Sequence, residues 1–262
     1  MISQTILGIL SGSVIGLLLG ATGGGGSLIA IPLLVYVVGI PVQHATAMSL
    51  VVVGYSAVFG AWQQSRHGMV KVRIALVFSS TGAMGAWVGA QGHRLVADDV
   101  ILFMFGFLLM AISGWILQLH LLNANQAIEV ECAEHFSWNC AVKAMAIGFG
   151  VGLLTGFFGI GGGFVIVPSL MFVLGFPMGM AVGTSFLIIA LTSIGGIVGH
   201  LDLNHIDIQL TGVVILGSLL GMIVGARVAK KMNERTLQKS FAILVGLTGL
   251  FLMIDNGIRL FS

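Results

Sequence analysis

The chain contains two copies of one pattern, and the two copies align without a gap. Residues 16–49 read GLLLGATGGGGSLIAIPLLVYVVGIPVQHATAMS, and residues 152–185 read GLLTGFFGIGGGFVIVPSLMFVLGFPMGMAVGTS. The offset is 136 residues throughout, the separation of Pro32 from Pro168 and of Pro41 from Pro177. Such a match indicates an internal duplication in which each copy places a glycine run between two apolar segments.

The composition requires a lipid bilayer. The 262 residues are 57% hydrophobic and only 8% charged, whereas soluble domains carry about 25% charged residues. A chain with so few charges cannot cover a water-facing surface. It has no basic cluster with interleaved aromatic residues, so nucleic acid is not predicted as a partner. P-loop, nucleophile-elbow and H-E-x-x-H patterns are also absent, and we predict neither an enzyme nor a cofactor.

Ten apolar segments, five in each copy, predict an all-α polytopic membrane protein. The predicted helices cover about 2–21, 27–38, 42–61, 74–91, 100–120, 141–158, 164–174, 178–199, 208–229 and 236–254. We divide the chain into a first five-helix repeat (1–120), a linker (121–140) and a second five-helix repeat (141–262). Segments 27–38 and 164–174 are too short for a hydrocarbon layer of about 30 Å. Whether these segments span or re-enter stays open.

Five segments per copy is an odd number, so the second repeat is predicted to be inverted relative to the first. If the N-terminus is placed on one side and the helices alternate, nine of the eleven Lys and Arg residues fall on the other side. An excess of positive charge marks the cytoplasmic side. We therefore predict a bacterial inner-membrane protein with periplasmic termini and a cytoplasmic linker. Cys132 and Cys140 lie at this linker; a disulfide is possible by count, but a cytoplasmic setting would keep both thiols reduced.

The glycine runs precede the two short helices at equivalent positions, which is the usual place of substrate sites in inverted-repeat transporters. A helix that begins after such a run aims free N–H groups and a positive dipole end at the bend. Two such ends facing each other could hold a small anion without a buried Lys or Arg. The candidate substrate-binding residues are the glycines and nearby hydroxyls of both copies: Thr22, Gly23, Gly24, Gly25, Gly26, Ser27, Thr46, Ser49, Gly159, Gly161, Gly162, Gly163, Thr184 and Ser185.

A purely structural role is also compatible with each of these residues and stays open at this point. Glycine runs permit tight helix crossings, and a membrane Ser or Thr usually bonds its own i−4 carbonyl. His44 and His200 could relay a proton, or they could be interfacial polar residues. Glu131, Cys132 and His135 have no zinc-site spacing, so no metal site is predicted.

The two quoted segments, with A-V-G-T-S at 181–185, resemble the sulfite exporter TauE/SafE family of membrane transporters. The resemblance covers nearly the whole chain. It implies a secondary transporter, an exporter of sulfite, a sulfonate or another organosulfur anion. The family's glycine motif maps onto Gly159, Gly161, Gly162, Gly163 and Pro168, and in the first copy onto Gly23, Gly25, Gly26 and Pro32. The first copy departs from the second in having Ser27 opposite Gly163 and Met48 opposite Thr184.

We expect alternating access around the glycine runs, with a small anion as the transported partner. Two alternatives stay open. The protein could be a channel or transporter for another small solute or ion, although no Asp or Glu lies in the middle of a predicted helix to hold a cation. It could also be a non-transporting membrane scaffold. The oligomeric state is not predicted, and a homo-oligomer is compatible with the sequence.

Overall fold

The computed structural model of the protein describes residues 2–93, 98–121, 137–158, 163–199, 207–232 and 234–261. Within these ranges the chain is all-helical, with five helices in each copy. The predicted fold class is confirmed. The helices are α1 (Ile2–Thr22), α2 (Gly25–Pro32, continued by a π-helical turn, Leu33–Val37), α3 (Val42–Ser65), α4 (Val72–His93), α5 (Asp98–Leu121), α6 (Trp138–Phe158), α7 (Gly163–Phe172), α8 (Met178–Gly199), α9 (Ile208–Lys231) and α10 (Glu234–Phe261).

The helices present an apolar outer surface. Large side chains such as Leu216 (64% exposed) and Leu247 (62% exposed) point away from the core. A contiguous surface of this kind is suited to lipid rather than water. In the described part of the chain, five helical spans are long and apolar enough to cross a bilayer: Gln4–Thr22, His44–Ser65, Val72–Gly89, Trp138–Phe157 and Ile208–Lys231. The chain is therefore a multi-pass membrane protein.

The largest helix interfaces join one copy to the other. Helix α1 packs along α9, and the equivalent pair in the repeat is α6 along α4. Helix α3 crosses α8, α5 packs on α10, and α2 meets α7. Each of these interfaces maps onto itself or onto another when the copies are exchanged, so the fold has pseudo-twofold symmetry. Each copy depends on the other to bury its core.

The directions of equivalent helices show that the copies are inverted. Gly54 near the middle of α3 lies against Ser193 of α8, and Gly60 further along α3 lies against Phe186, which comes earlier in α8. Helices α3 and α8 are thus antiparallel, although they occupy the same place in their repeats. Equivalent helices of a non-inverted duplication would run in the same direction. The boundaries of the linker at 121–140 stay a prediction, because most of it lies outside the described residues.

Glycines allow close backbone contact in the two parallel pairs, α1–α9 and α4–α6. A Cβ added at most of these glycines would overlap a backbone atom of the facing helix. Small residues spaced by four positions let membrane helices approach closely. Tight crossing thus explains twelve of the glycines of these four helices: Gly12, Gly16, Gly20, Gly82, Gly85, Gly89, Gly148, Gly152, Gly156, Gly217, Gly221 and Gly225.

Every helix except α8 differs from its predicted bounds by at least one residue, and the largest difference is at α10, which ends at Phe261, seven residues beyond the prediction. Helix α3 continues to Ser65, four residues beyond the prediction, because Gln63 and Gln64 are good helix formers even outside an apolar run. Helix α2 starts two residues early, at Gly25, and changes to a π-helical turn after Pro32. Proline inside a helix removes one N–H group and clashes with the preceding turn, which favours such a change of winding.

The cysteine expectation is wrong for the described cysteine. Cys140 is disulfide-bonded, and the chain contains only one other cysteine, Cys132, which lies outside the described residues. Cys140 is buried at the start of α6, where the Ser137 hydroxyl donates to its Sγ at 3.2 Å.

Candidate functional site

The starts of α2 and α7 meet in the buried interior. Gly24, the N-cap residue of α2, lies directly against Gly163, the first residue of α7. A Cβ added at Gly24 would overlap the Gly163 carbonyl oxygen, and a Cβ added at Gly163 would lie 2.7 Å from the Ser27 Oγ. Helices α2 and α7 therefore begin at nearly the same point. This approach requires glycine at position 24, and a side chain at position 163 would have to displace the Ser27 hydroxyl.

The first bend is fixed by hydrogen bonds to its own backbone. Gly23 has a φ of +77°, a left-handed conformation that favours glycine. Its N–H donates to the Leu19 carbonyl at 2.8 Å and so completes α1. Its carbonyl accepts a 2.8 Å hydrogen bond from Ser185 Oγ of α8, and Ser185 also lies 2.8 Å from the Val182 carbonyl. A fully buried hydroxyl of the second copy thus holds the bend of the first.

Two more hydroxyls shape the first turn of α2. Thr22 Oγ1 donates to the Leu18 carbonyl at 2.7 Å and accepts the Gly25 N–H at 2.8 Å. This caps one of the four N–H groups that a helix leaves unpaired at its start. Ser27 Oγ donates to the Gly24 carbonyl at 2.7 Å. Thr22 and Ser27 therefore stabilise the bend. A ligand that bound these hydroxyls would have to replace their present hydrogen bonds.

Two further candidates form hydrogen bonds away from this bend. Ser49, the repeat equivalent of Ser185, donates to the Thr46 carbonyl within α3 at 2.8 Å. Thr184 is fully buried, and its Oγ1 accepts the Lys71 backbone N–H at 3.2 Å. Thr184 thus contacts the α3–α4 connection. Four candidates lie outside the described residues: Gly159, Gly161, Gly162 and His200.

The proton-relay residues stay predictions. His44 is half-buried in the first turn of α3. No group of three or more His, Cys, Asp or Glu side chains that could hold a metal occurs among the residues that the structure describes.

A cavity of about 250 Å³ lies beside the bend and was not predicted from the sequence. At the end of the bundle it is polar, with Gln63 and Gln64 on the last turn of α3 and Lys230 on the last turn of α9. Deeper in the protein it is lined by the apolar side chains Val182, Phe186 and Met222. A Cβ added at Gly23 would lie 2.9 Å from the Val182 Cα, so the cavity ends against the glycine bend.

The comparisons with known proteins agree with this architecture. The family model described as Sulfite exporter TauE/SafE matches residues 8–252. The chain is 32% identical over 248 residues to a "Probable membrane transporter protein" of Xylella fastidiosa strain 9a5c, with 93% of each chain covered. It is 26% identical over 241 residues to the "Probable membrane transporter protein YdhB" of Bacillus subtilis strain 168, with 92% of this chain and 96% of that protein covered. No solved structure matches at a comparable level of significance.

The family match covers nearly the whole chain, and these relatives are named as transporters rather than enzymes. The protein is accordingly a membrane transporter. It belongs to the TauE/SafE sulfite exporter family.

Proposed function

We propose that the protein is a secondary transporter that exports sulfite or an organosulfonate by alternating access around the two glycine bends. The observation that carries the proposal is the meeting of α2 and α7 at Gly24 and Gly163. Each helix start contributes a positive dipole end and N–H donors. Two such ends at one buried point favour an anion, without the cost of a Lys or Arg in the membrane interior.

We choose sulfite or a sulfonate as the proposed anion because the matching family is described as a sulfite exporter family. Sulfite and the sulfonate head group both carry several oxygen atoms on one sulfur atom. Such a group accepts hydrogen bonds from several directions, so donors from both bends could bind it together. Export needs no ATP, because an anion leaving a negative cytoplasm gains about 2.3 kcal/mol per charge per 100 mV.

The inverted repeats supply the means of alternating access. Rocking of one repeat or bundle against the other around a fixed site is the usual mechanism of such transporters. The described cavity opens at one end of the bundle, its walls include Val182 and Phe186, and Val182 lies next to Gly23. In our proposal, these two side chains move aside when the anion passes.

We place the cavity end of the bundle in the cytoplasm and both termini in the periplasm. The disulfide at Cys140 opposes this orientation, since disulfides persist mainly in oxidising compartments. The positive charges favour it more strongly. They are concentrated on the helix ends and connections at the cavity end: Arg66, Lys71, Arg73, Lys143, Arg227, Lys230, Lys231 and Lys239.

Labelling of single cysteines tests the orientation. In a background without the native cysteines, we expect a membrane-impermeant maleimide to label Asp207→Cys on intact cells but to leave Ser65→Cys unlabelled. Both residues are exposed, and they lie at opposite ends of the bundle. Ser65→Cys should react after the cells are opened. The reverse pattern would invert the orientation, and labelling of both positions on intact cells would contradict the topology.

Flux through the purified protein tests the cargo. In proteoliposomes we expect labelled sulfite to cross faster than in protein-free liposomes, to respond to an imposed membrane potential and to be competed by short alkanesulfonates. A sulfite flux equal to the protein-free rate, together with faster movement of a cation or neutral solute, would favour the other-cargo alternative. Absence of flux for every solute tested would favour a scaffold.

A further inference from the structure

The charged residue of the cavity is held by a neutral partner. Lys230 lines the cavity, and its Nζ lies 3.4 Å from the Nε2 of His67 in the α3–α4 connection. Within the described part of the chain, no carboxylate forms an ion pair with Lys230. Lys230 thus presents its ammonium group at the entrance of the cavity.

The hydrogen bonds of His67 explain how it holds this lysine. Its Nδ1 lies 3.0 Å from the backbone carbonyl oxygen of Gln63. Because a carbonyl can only accept, Nδ1 carries the proton, and Nε2 is left as the acceptor for Lys230. The contact joins the end of α3 in the first copy to the end of α9 in the second. An anion could displace the imidazole, since a hydrogen bond between two charged groups is stronger than one to a neutral ring.

Two neighbouring side chains, Gln63 and Gln64, can also donate hydrogen bonds to an anion. The side chains of Gln63 and Gln64 line the cavity beside Lys230, and each amide carries two N–H donors. Apolar walls surround these groups. A cleft with one sign of charge and walls of low dielectric constant concentrates ions of the opposite sign. At about 250 Å³, the cavity has room for a small oxyanion and several waters.

We propose that this cavity is a second anion site, a loading vestibule in which Lys230, Gln63 and Gln64 collect the anion before it reaches the glycine bends. The proposal rests on the proposed function for the identity of the anion as a sulfur oxyanion. The vestibule and the bend are adjacent, because Val182 lines the one and contacts the other. Lys230 therefore acts on capture of the anion, and the passage beyond Val182 does not depend on it.

The matched pair Lys230→Gln and Lys231→Gln tests this role. Lys231 is the next residue of the same helix and is exposed, but it does not line the cavity. In membrane vesicles of defined orientation, with sulfite supplied at the vestibule end, we expect Lys230→Gln to raise KM about threefold to tenfold. The maximal rate should stay within about twofold, and Lys231→Gln should leave both quantities unchanged. Lys230→Arg, which keeps the charge, should restore most of the affinity.

A second readout does not require transport. Methanesulfonate, used as the probe, should protect Lys230 but not Lys231 from an amine-reactive reagent, as measured by peptide mass spectrometry on the purified wild-type protein. Equal protection of both lysines, or an equal KM in the two Gln variants while wild-type sulfite flux is normal, would overturn the vestibule alone. Absent sulfite flux with selective protection of Lys230 would instead contradict the proposed cargo and leave the anion site standing.

Discussion

Alanine in place of Gly24 is expected to lower sulfite flux at least about tenfold, because the added methyl group would overlap the Gly163 carbonyl. Gly24 has a φ of −165°, outside the left-handed region, and the expected effect follows from the steric overlap. The clashing atom belongs to the main chain and cannot move by a change of rotamer. Overpacking a buried site typically costs 1–3 kcal/mol. Here we expect it to separate the starts of α2 and α7. Flux should be measured in proteoliposomes and normalised to the amount of folded protein.

Gly150→Ala is the matched control for Gly24→Ala. Gly150 lies within α6, and no atom of the described structure comes within 4 Å of an added Cβ. Alanine also favours a helix over glycine by up to about 1 kcal/mol. We expect its flux to equal that of the wild type. Equal flux in the two variants would show that transport does not depend on the Gly24–Gly163 contact.

A milder variant covers the case in which Gly24→Ala does not fold. Ser185→Ala adds no atom and removes the hydrogen bond to the Gly23 carbonyl. Such a buried bond contributes about 1 kcal/mol, so we expect a severalfold lower flux from a protein that still elutes as a single species in size-exclusion chromatography. A folded Ser185→Ala protein with normal flux would show that the bend tolerates this change and would weaken the proposed site.

The helices could be predicted from the sequence because the apolar runs and their glycine and proline boundaries are local signals. Helix α8 has the predicted bounds, 178–199. The inversion could also be predicted, since it follows from the odd number of segments and the distribution of positive charge. Which helices pack against each other could not be predicted from the sequence. Small residues at every fourth position mark a packing face of α1, but they carry no information that α9 rather than a sequence neighbour covers it.

The substrate-binding role of the glycine runs stays a prediction, and the structure adds which of their residues lie together. The duplicated glycine runs indicated that Gly24 and Gly163 would belong to one site, and these two residues meet. The sequence did not show that Ser185 would hold the opposite bend, or that Thr184 would bond the Lys71 backbone. Hydroxyls in membrane helices all have the same local alternative, a bond to their own backbone.

No local sequence pattern predicted the cavity. Its glutamines and its lysine are far apart in the sequence, and only the packing of the end of α3 near the end of α9 brings them together. The sequence places Gln63 and Gln64 in a loop, where amides are common. In the structure they lie on the last turn of α3 and line the same cavity as Lys230. Tertiary structure is thus what brings these scattered polar residues together in the proposed anion site.

Alanine in place of Gly16 is expected to destabilise the contact between the two repeats. An added Cβ would overlap the backbone carbonyl of Ser218 on α9. Ser218 is fully buried, and its Oγ lies 2.7 Å from the Ser56 Oγ of α3. A shift of α9 away from α1 would therefore also strain a hydrogen bond between α3 and α9. We expect a cost of about 1–3 kcal/mol, seen as a fall of roughly 2–4 °C in unfolding temperature per kcal/mol.

Gly8→Ala provides the comparison on the same helix and against the same partner. The nearest atoms to its added Cβ are side-chain carbons, Leu210 Cδ1 at 3.2 Å and Val214 Cγ2 at 3.4 Å, which can move by small rotations. The higher helix propensity of alanine offsets part of that cost. Thermal unfolding of both variants in one detergent, followed by tryptophan fluorescence, should place Gly8→Ala near the wild type and Gly16→Ala several degrees below it. If the two variants unfold at the same temperature, backbone contact at Gly16 does not hold α1 to α9, and the packing of the repeats must depend on their larger side chains.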